Sequence, residues 1–204
     1  PGVFPGPLVV AGYDLAGDDY VSGGIPDPDP DPLDCTGHGT SVASILAGRG
    51  VLANGQVYAG TYNWADNARP DFSIPPGIAP EAKIYDYKVF GCENSTQLIP
   101  AGIERAIDPN QDGNYDDKPD VINLSVTRTF GYAEYPSSIS SDRAARLGCI
   151  LSAGAGNDGD SFYVTGTPAS QKTTIGVAGS HTDGDIFHQL EVTGPPGKTG
   201  SYMV

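Results

Sequence analysis

Apolar residues along this chain come in short runs separated by polar stretches rich in glycine and proline, and the periods of the runs differ. "PLVVAGYDL" predicts a short strand after a proline-rich lead-in. "GTSVASILAG" sets Val42, Ile45 and Leu46 at helical spacing among the small residues Ala43, Ser44, Ala47 and Gly48, which predicts a helix buried on most sides. "AKIYDYKVFG" alternates as a strand does, "LIPAGIERAI" has the helical period, and "PDVINLSV" reads as a buried strand through Val121, Ile122 and Leu124. "SSISSDRAARLG" predicts a helix stopped by Gly148, and "CILSAGAG" and "KTTIGVAGS" predict two more strands. Strands alternating with helices imply parallel pairing through crossovers, hence a three-layer α/β domain. Between the first strand and the first helix, "AGDDYVSGGIPDPDPDPLD" alternates Asp with Pro, which neither a helix nor a central strand tolerates, so an exposed loop is expected. After Ser180 the helical period disappears, and "HTDGDIFHQLEVTGPPGKTGSYMV" reads as strands broken by Gly-Pro turns.

Composition narrows the classes of function. The 204 residues carry a net charge of -14, which repels nucleic acid and anionic lipid, and no apolar run approaches the ~20 residues of a membrane span. The chain opens at Pro1 and stops inside the pattern "GSYMV", so both ends read as cut. The three cysteines, Cys35, Cys92 and Cys149, fit no zinc spacing and leave two options, one disulfide in an extracellular protein or buried packing.

Three local patterns carry chemistry. His38 lies between Gly37 and Gly39 at the mouth of the small-residue helix; taken alone it is a packed core histidine or a base held by a rigid helix. Asn157, in "SAGAGNDG" after an apolar strand, is a turn residue or an amide donor to a developing oxyanion. In "DPNQDGNYDD", Asp108, Asn110 and Asp112 alternate, then come Gly113, the Asn114 carbonyl and Asp116. These reproduce the first nine places of a calcium loop, with Pro119 where the twelfth-place glutamate is expected.

"DCTGHGTSVASILAG", "GIAPEAKIYDYKVFG", "PDVINLSV", "SAGAGNDG" and "TGTPAS" occur in the order found in subtilisin-like serine peptidases, and from about Val9 to Ser180 the chain resembles that family. The likeness is nearest to the large secreted subtilases with an inserted protease-associated domain. It implies a subtilisin-like α/β fold with a mainly parallel central sheet, incomplete here, over residues 1–180, with residues 181–204 opening a β-rich insertion. By resemblance His38 is the general base and Asn157 the oxyanion donor of a serine endopeptidase acting on protein or peptide substrates, extracellular or at the cell surface, with structural calcium. Leu124, Ser125, Val126 and Thr127 match the segment that pairs with the substrate backbone. Gly154, Ala155 and Gly156 match the opposite wall of the primary specificity pocket, where glycines leave room for a large side chain.

Relatives generally carry glycine after the strand where this chain has Val126 and Thr127, and Ser41 stands where many carry a second histidine. The family's "D-T/S-G" aspartate and "G-T-S-M-A" serine motifs have no counterpart in this sequence: Asp14 matches another position and Ser41 lies on the base's own helix. The fragment alone is therefore expected to be inactive. By resemblance Cys35 and Cys92 form a disulfide and Cys149 stays a buried thiol. Two other readings compete, a subtilase-like module that binds peptides without cleaving them and a calcium-dependent extracellular adhesion domain.

Overall fold

The computed structural model describes residues 4–63, 69–93, 95–180, 189–192 and 200–203, the last two stretches by backbone alone. The elements run β1 (Val9–Asp14), α1 (His38–Ala47), β2 (Val51–Leu52), β3 (Phe72–Ile74), β4 (Ile84–Lys88), α2 (Ile99–Ile107), β5 (Val121–Leu124), α3 (Pro136–Arg146), β6 (Ile150–Gly154), β7 (Thr174–Val177), β8 (Gln189–Val192) and β9 (Gly200–Met203). Every element predicted up to Ser180 is present. The β2–β3 hairpin is an addition, too short to leave a period in the sequence.

The parallel strands form two sheets. β1 pairs with β4, Tyr13 opposite Tyr87 and Asp14 opposite Lys88, while β5, β6 and β7 form a second sheet with Leu124 opposite Ala153 and Gly154 opposite Val177. α2 packs on β4 and on α3, and α3 packs on β6 and β7. Ile103, Ala106 and Ile107 from α2, Ala144 from α3, Ile122, Cys149 and Leu151 make one buried cluster, and Tyr87 packs against it. α2 therefore serves both sheets. β8 and β9 are antiparallel partners, in keeping with the β texture read after Ser180, though most of residues 181–204 lie outside the described residues.

Burial differs from expectation in two places. α1 buries only Ala47, while Ile45 and Leu46 are 68% and 39% exposed, so among the described residues nothing covers most of this helix. β5 is buried on one face only: Ile122 lies in the core, whereas Val121 is 54% exposed, beside Ile150 at 55% and Ile175 at 57% on the same open side of the sheet. A run of apolar residues shows that a face wants cover, and cover depends on which partners are present.

The Asp-Pro run is exposed but not unstructured. Asp29 exchanges both backbone hydrogen bonds with Asp14, at 2.9 and 3.0 Å, and Asp27 N donates to Ala16 O at 2.9 Å. In extended chain alternate N–H groups point the same way, so Asp27 and Asp29 donate toward β1 while Pro28 and Pro30 occupy positions where no donor is required. The prolines thereby close this edge to further pairing. At the end of β1, Asp14 is buried: Oδ1 accepts from Ala16 N and Gly17 N at 2.7 and 2.8 Å, and Oδ2 takes the Lys88 ammonium at 2.8 Å. Lys88 also meets Asp18, and although burial opposes its charge, the two carboxylates hold its ammonium above the ordinary lysine range.

Asp86 of β4 has a different environment. Burial, and then the negative charge of Asp34, push its carboxyl up to about 6. A raised carboxylate favours the folded state only while it is protonated, so its stabilisation is complete below pH ~4 and is lost as pH rises through about 6. Asp86→Asn should match the native protein in melting temperature at pH 4 and exceed it at pH 8, by up to ~3 kcal/mol in unfolding free energy. The cluster is open to a second test: Leu151→Ala, at a site 1% exposed, should cost ~2–5 kcal/mol by denaturant titration, and its exposed neighbour Ile150→Ala well under half of that.

Candidate functional site

His38 is the first residue of α1 and is exposed to solvent. The chain reaches it through Gly37 in the left-handed region, φ 83°, and turns there into the helix. The turn is organised by Asp34, whose Oδ1 accepts from Thr36 N at 2.8 Å and Gly37 N at 3.0 Å, and whose Oδ2 accepts from Thr40 N at 2.8 Å and Thr40 Oγ1 at 2.9 Å. A carboxylate at a helix start satisfies N–H groups that have no partner within the helix and complements its dipole. Burial works against the charge, yet the bonds from Thr40, Thr36 and Gly37 outweigh it and hold the Asp34 carboxyl well below the usual carboxylate range. Asp34 was missed as a contributor to the site. Its signal was in the sequence, an aspartate with a threonine two and six residues on, at a helix mouth.

Cys35, the neighbour of Asp34, is bonded to Cys92 beyond β4, and the Cys149 thiol is buried and free. Ser41 is occupied within its own helix, where Oγ donates to Gly37 O at 2.9 Å.

The second group of residues gathers at the carboxyl ends of β5 and β6. Leu124 lies beside Ala153 in the ladder, so Ser125, Val126 and Thr127 leave one strand where Gly154, Ala155 and Gly156 leave its neighbour. A third segment closes the group: Gly166 N donates to Ala155 O at 2.9 Å, while Arg128 and Thr167 exchange backbone bonds at 3.1 and 2.9 Å. Thr129 Oγ1 donates to Asp158 Oδ2 at 2.7 Å, tying the chain after β5 to the loop after β6. Asn157 sits in that loop, exposed. Thr127 points between Gly156 and Gly166: its Cγ2 lies 3.7 Å from where a Cβ on Gly156 would stand, and a Cβ on Gly166 would overlap its Oγ1. The Thr127 hydroxyl is buried without a hydrogen-bond partner.

The acidic loop after α2 folds around its own backbone. Asp108 accepts from Asp112 N and Gly113 N at 3.1 Å each, Asn110 from Asp112 N at 2.9 Å, and Asp112 from Asn114 N at 2.7 Å, while Asn114 Nδ2 donates to Asp116 at 3.1 Å. Among the described residues, one trio of acidic, cysteine or histidine side chains brings its ligand atoms within 4.8 Å of one another. It is Asp18 with Cys35 and Cys92, whose sulfurs are the disulfide. Asp108, Asp112 and Asp116 are not gathered in that way. A cavity of about 600 Å³ opens nearby between Tyr13, Leu98 and Arg105, with the Arg105 guanidinium 4.7 Å from the Tyr13 ring centre. Asp108 touches it, but His38, Asn157 and the strand-end residues do not.

The chain is similar to known proteins over most of its length. Over 168 residues the chain is 29% identical to the minor extracellular protease Vpr of Bacillus subtilis (strain 168), a match covering 81% of this chain and 17% of that protein. Over 179 residues it is 31% identical to the subtilisin-like protease SBT1.5 of Arabidopsis thaliana, covering 81% and 20%. The chain thus spans a fifth or less of the length of these two relatives. Among solved structures Sphericase superposes with a TM-score of 0.53 at 22% identity, covering 94% of this chain and 50% of that one, a likeness of fold. Among the described residues no helix is long and apolar enough to cross a membrane. The model of the subtilase family matches residues 13–189, and the chain belongs to that family.

Proposed function

We propose that this chain supplies the general base, the oxyanion donor and the substrate-binding walls of an extracellular serine endopeptidase. The carrying observation is the match to the subtilase family over residues 13–189, within which His38 stands exposed at the first turn of α1 beside a turn fixed by Asp34. In this reading His38 takes the proton of a serine hydroxyl as it attacks the scissile carbonyl and returns it to the leaving amine. Asn157 donates to the oxygen on which negative charge develops, and the chain from Leu124 to Thr127 pairs with the substrate backbone. The serine is not Ser41, whose hydroxyl is spent on Gly37 O. The disulfide between Cys35 and Cys92 supports an oxidising location, as does the extracellular protease among the relatives.

Calcium is the cation that suits the acidic loop, whose donors are carboxylate and amide oxygens without nitrogen or sulfur. In this reading Asp108, Asn110, Asp112 and Asp116 hold it with the Asn114 carbonyl, and the ion supplies rigidity rather than chemistry.

A fluorophosphonate probe applied to the full-length protein tests the catalytic reading. Labelling should be strong in the native protein and absent in His38→Ala, and Asn157→Ala should lower kcat by about 10²–10³-fold; undiminished labelling of the His38 variant overturns the base assignment. Calcium is tested separately: chelation should lower the melting temperature of the native protein and leave that of Asp112→Ala unmoved. An equal response in both removes the loop as the binding site.

A further inference from the structure

The pocket walls themselves carry a specificity. Glycines at Gly154 and Gly156 led to the expectation of room for a large substrate side chain. The space is measured, however, by what projects into it from the facing strand. Thr127 projects there, with its methyl 3.7 Å from where a Cβ on Gly156 would stand and its hydroxyl where any side chain at position 166 would have to be. The walls cannot easily part to make room, because the segments that bear Gly156 and Gly166 are bonded to each other through Gly166 N and Ala155 O, and to the chain after β5 through Arg128, Thr167, Thr129 and Asp158. Nor can the side chain easily swing away, since two substituents on Cβ leave a threonine few rotamers. Its hydroxyl is among the buried side-chain polar atoms of the described residues that have no hydrogen-bond partner.

We propose that Thr127 is the specificity-determining residue of this peptidase, filling the depth of the primary pocket and restricting the residue before the scissile bond to glycine, alanine or serine. This rests on the endopeptidase reading above and deepens it. Glycine, alanine and serine side chains need none of the depth that the threonine fills. A phenylalanine or leucine side chain needs the volume between Gly156 and Gly166 that the threonine already holds.

The test uses the full-length protein and tetrapeptide p-nitroanilides identical except for Ala, Ser or Phe next to the leaving group. The native protein should favour Ala over Phe in kcat/KM by at least about 10-fold, within the range that one or two heavy atoms in a pocket produce. Thr127→Gly should raise the Phe substrate relative to Ala by about 10–100-fold. Thr127→Val keeps the shape and removes the hydroxyl, so it should retain the Ala over Phe ratio. Should the glycine variant fold poorly, Thr127→Ser, which removes only the methyl, should shift the ratio in the same direction by a smaller factor. An Ala to Phe ratio unchanged by these openings, with cleavage intact, overturns the role of Thr127 alone. No cleavage of any substrate together with no fluorophosphonate labelling overturns the endopeptidase reading, and this one with it.

Discussion

α2 is the element through which the two parallel sheets share one core. β4 and β5 are each paired on one edge only, and no ladder joins their sheets among the described residues. What they have in common is the apolar stripe of a helix nine residues long, in which Ile103 and Ile107 are 1% exposed and Ala106 is 5% exposed. Tyr87 reaches this stripe from β4, and Ile122 reaches it from β5. Each fully buried aliphatic side chain contributes roughly 1.5–3 kcal/mol, so a handful of contacts on one helix face stands in for the missing ladder. The same arrangement explains why α3 can be polar in composition yet seated: Ser137, Ser138 and Ser141 are buried, and the first two hydroxyls reach Thr167 while Ala144 enters the cluster. Through Thr167 the far side of α3 is thereby coupled to the segment that carries Gly166.

The site inherits its precision from backbone bonds rather than from side-chain packing. Parallel register sets Leu124 beside Ala153, so the segments leaving β5 and β6 begin at the same level of the sheet. The Arg128 and Thr167 exchange then fixes the third wall. On the other sheet, Asp34 does for the His38 turn what a ladder does for a strand, collecting three N–H groups and a hydroxyl on one carboxylate. Loops held in this way keep functional groups in place while remaining at the surface, where a substrate can reach them.

Much of this was legible from the sequence, because period and punctuation are local. The alternation in "AKIYDYKVFG", the stripe of "LIPAGIERAI" and the stop at Gly148, which adopts φ 97°, each announce themselves within a dozen residues. What was not legible depends on partners distant in the chain. The exposure of Ile45 on α1 and of Val121 on β5 is a property of what covers them, and the hydropathy of the residues carries no record of that. The Asp-Pro run looked merely loop-like because the rule that bars proline from central strands says nothing of an edge where only alternate N–H groups are used. Thr127 shows the same limit within the site. Its departure from glycine was visible at once, but whether the side chain turned inward or outward required the positions of Gly156 and Gly166, some 30 and 40 residues away in sequence.

The carboxylates beneath the His38 turn divide their roles by solvation. Asp34 and Asp86 repel one another enough that the charge on the first is a cause of the raised carboxyl on the second. Which one stays ionised is decided by hydrogen bonds: Asp34 has the N–H groups of an entire helix start around it, while burial is the first cause acting on Asp86. Two acids in one region whose environments push them apart behave as one permanent charge and one titrating group. The permanent charge is the one that braces the His38 turn, so acidification through pH 6 neutralises Asp86 and leaves the bonds of that turn in place. Only at much lower pH, where the Asp34 carboxyl itself takes a proton, does the turn lose its anchor.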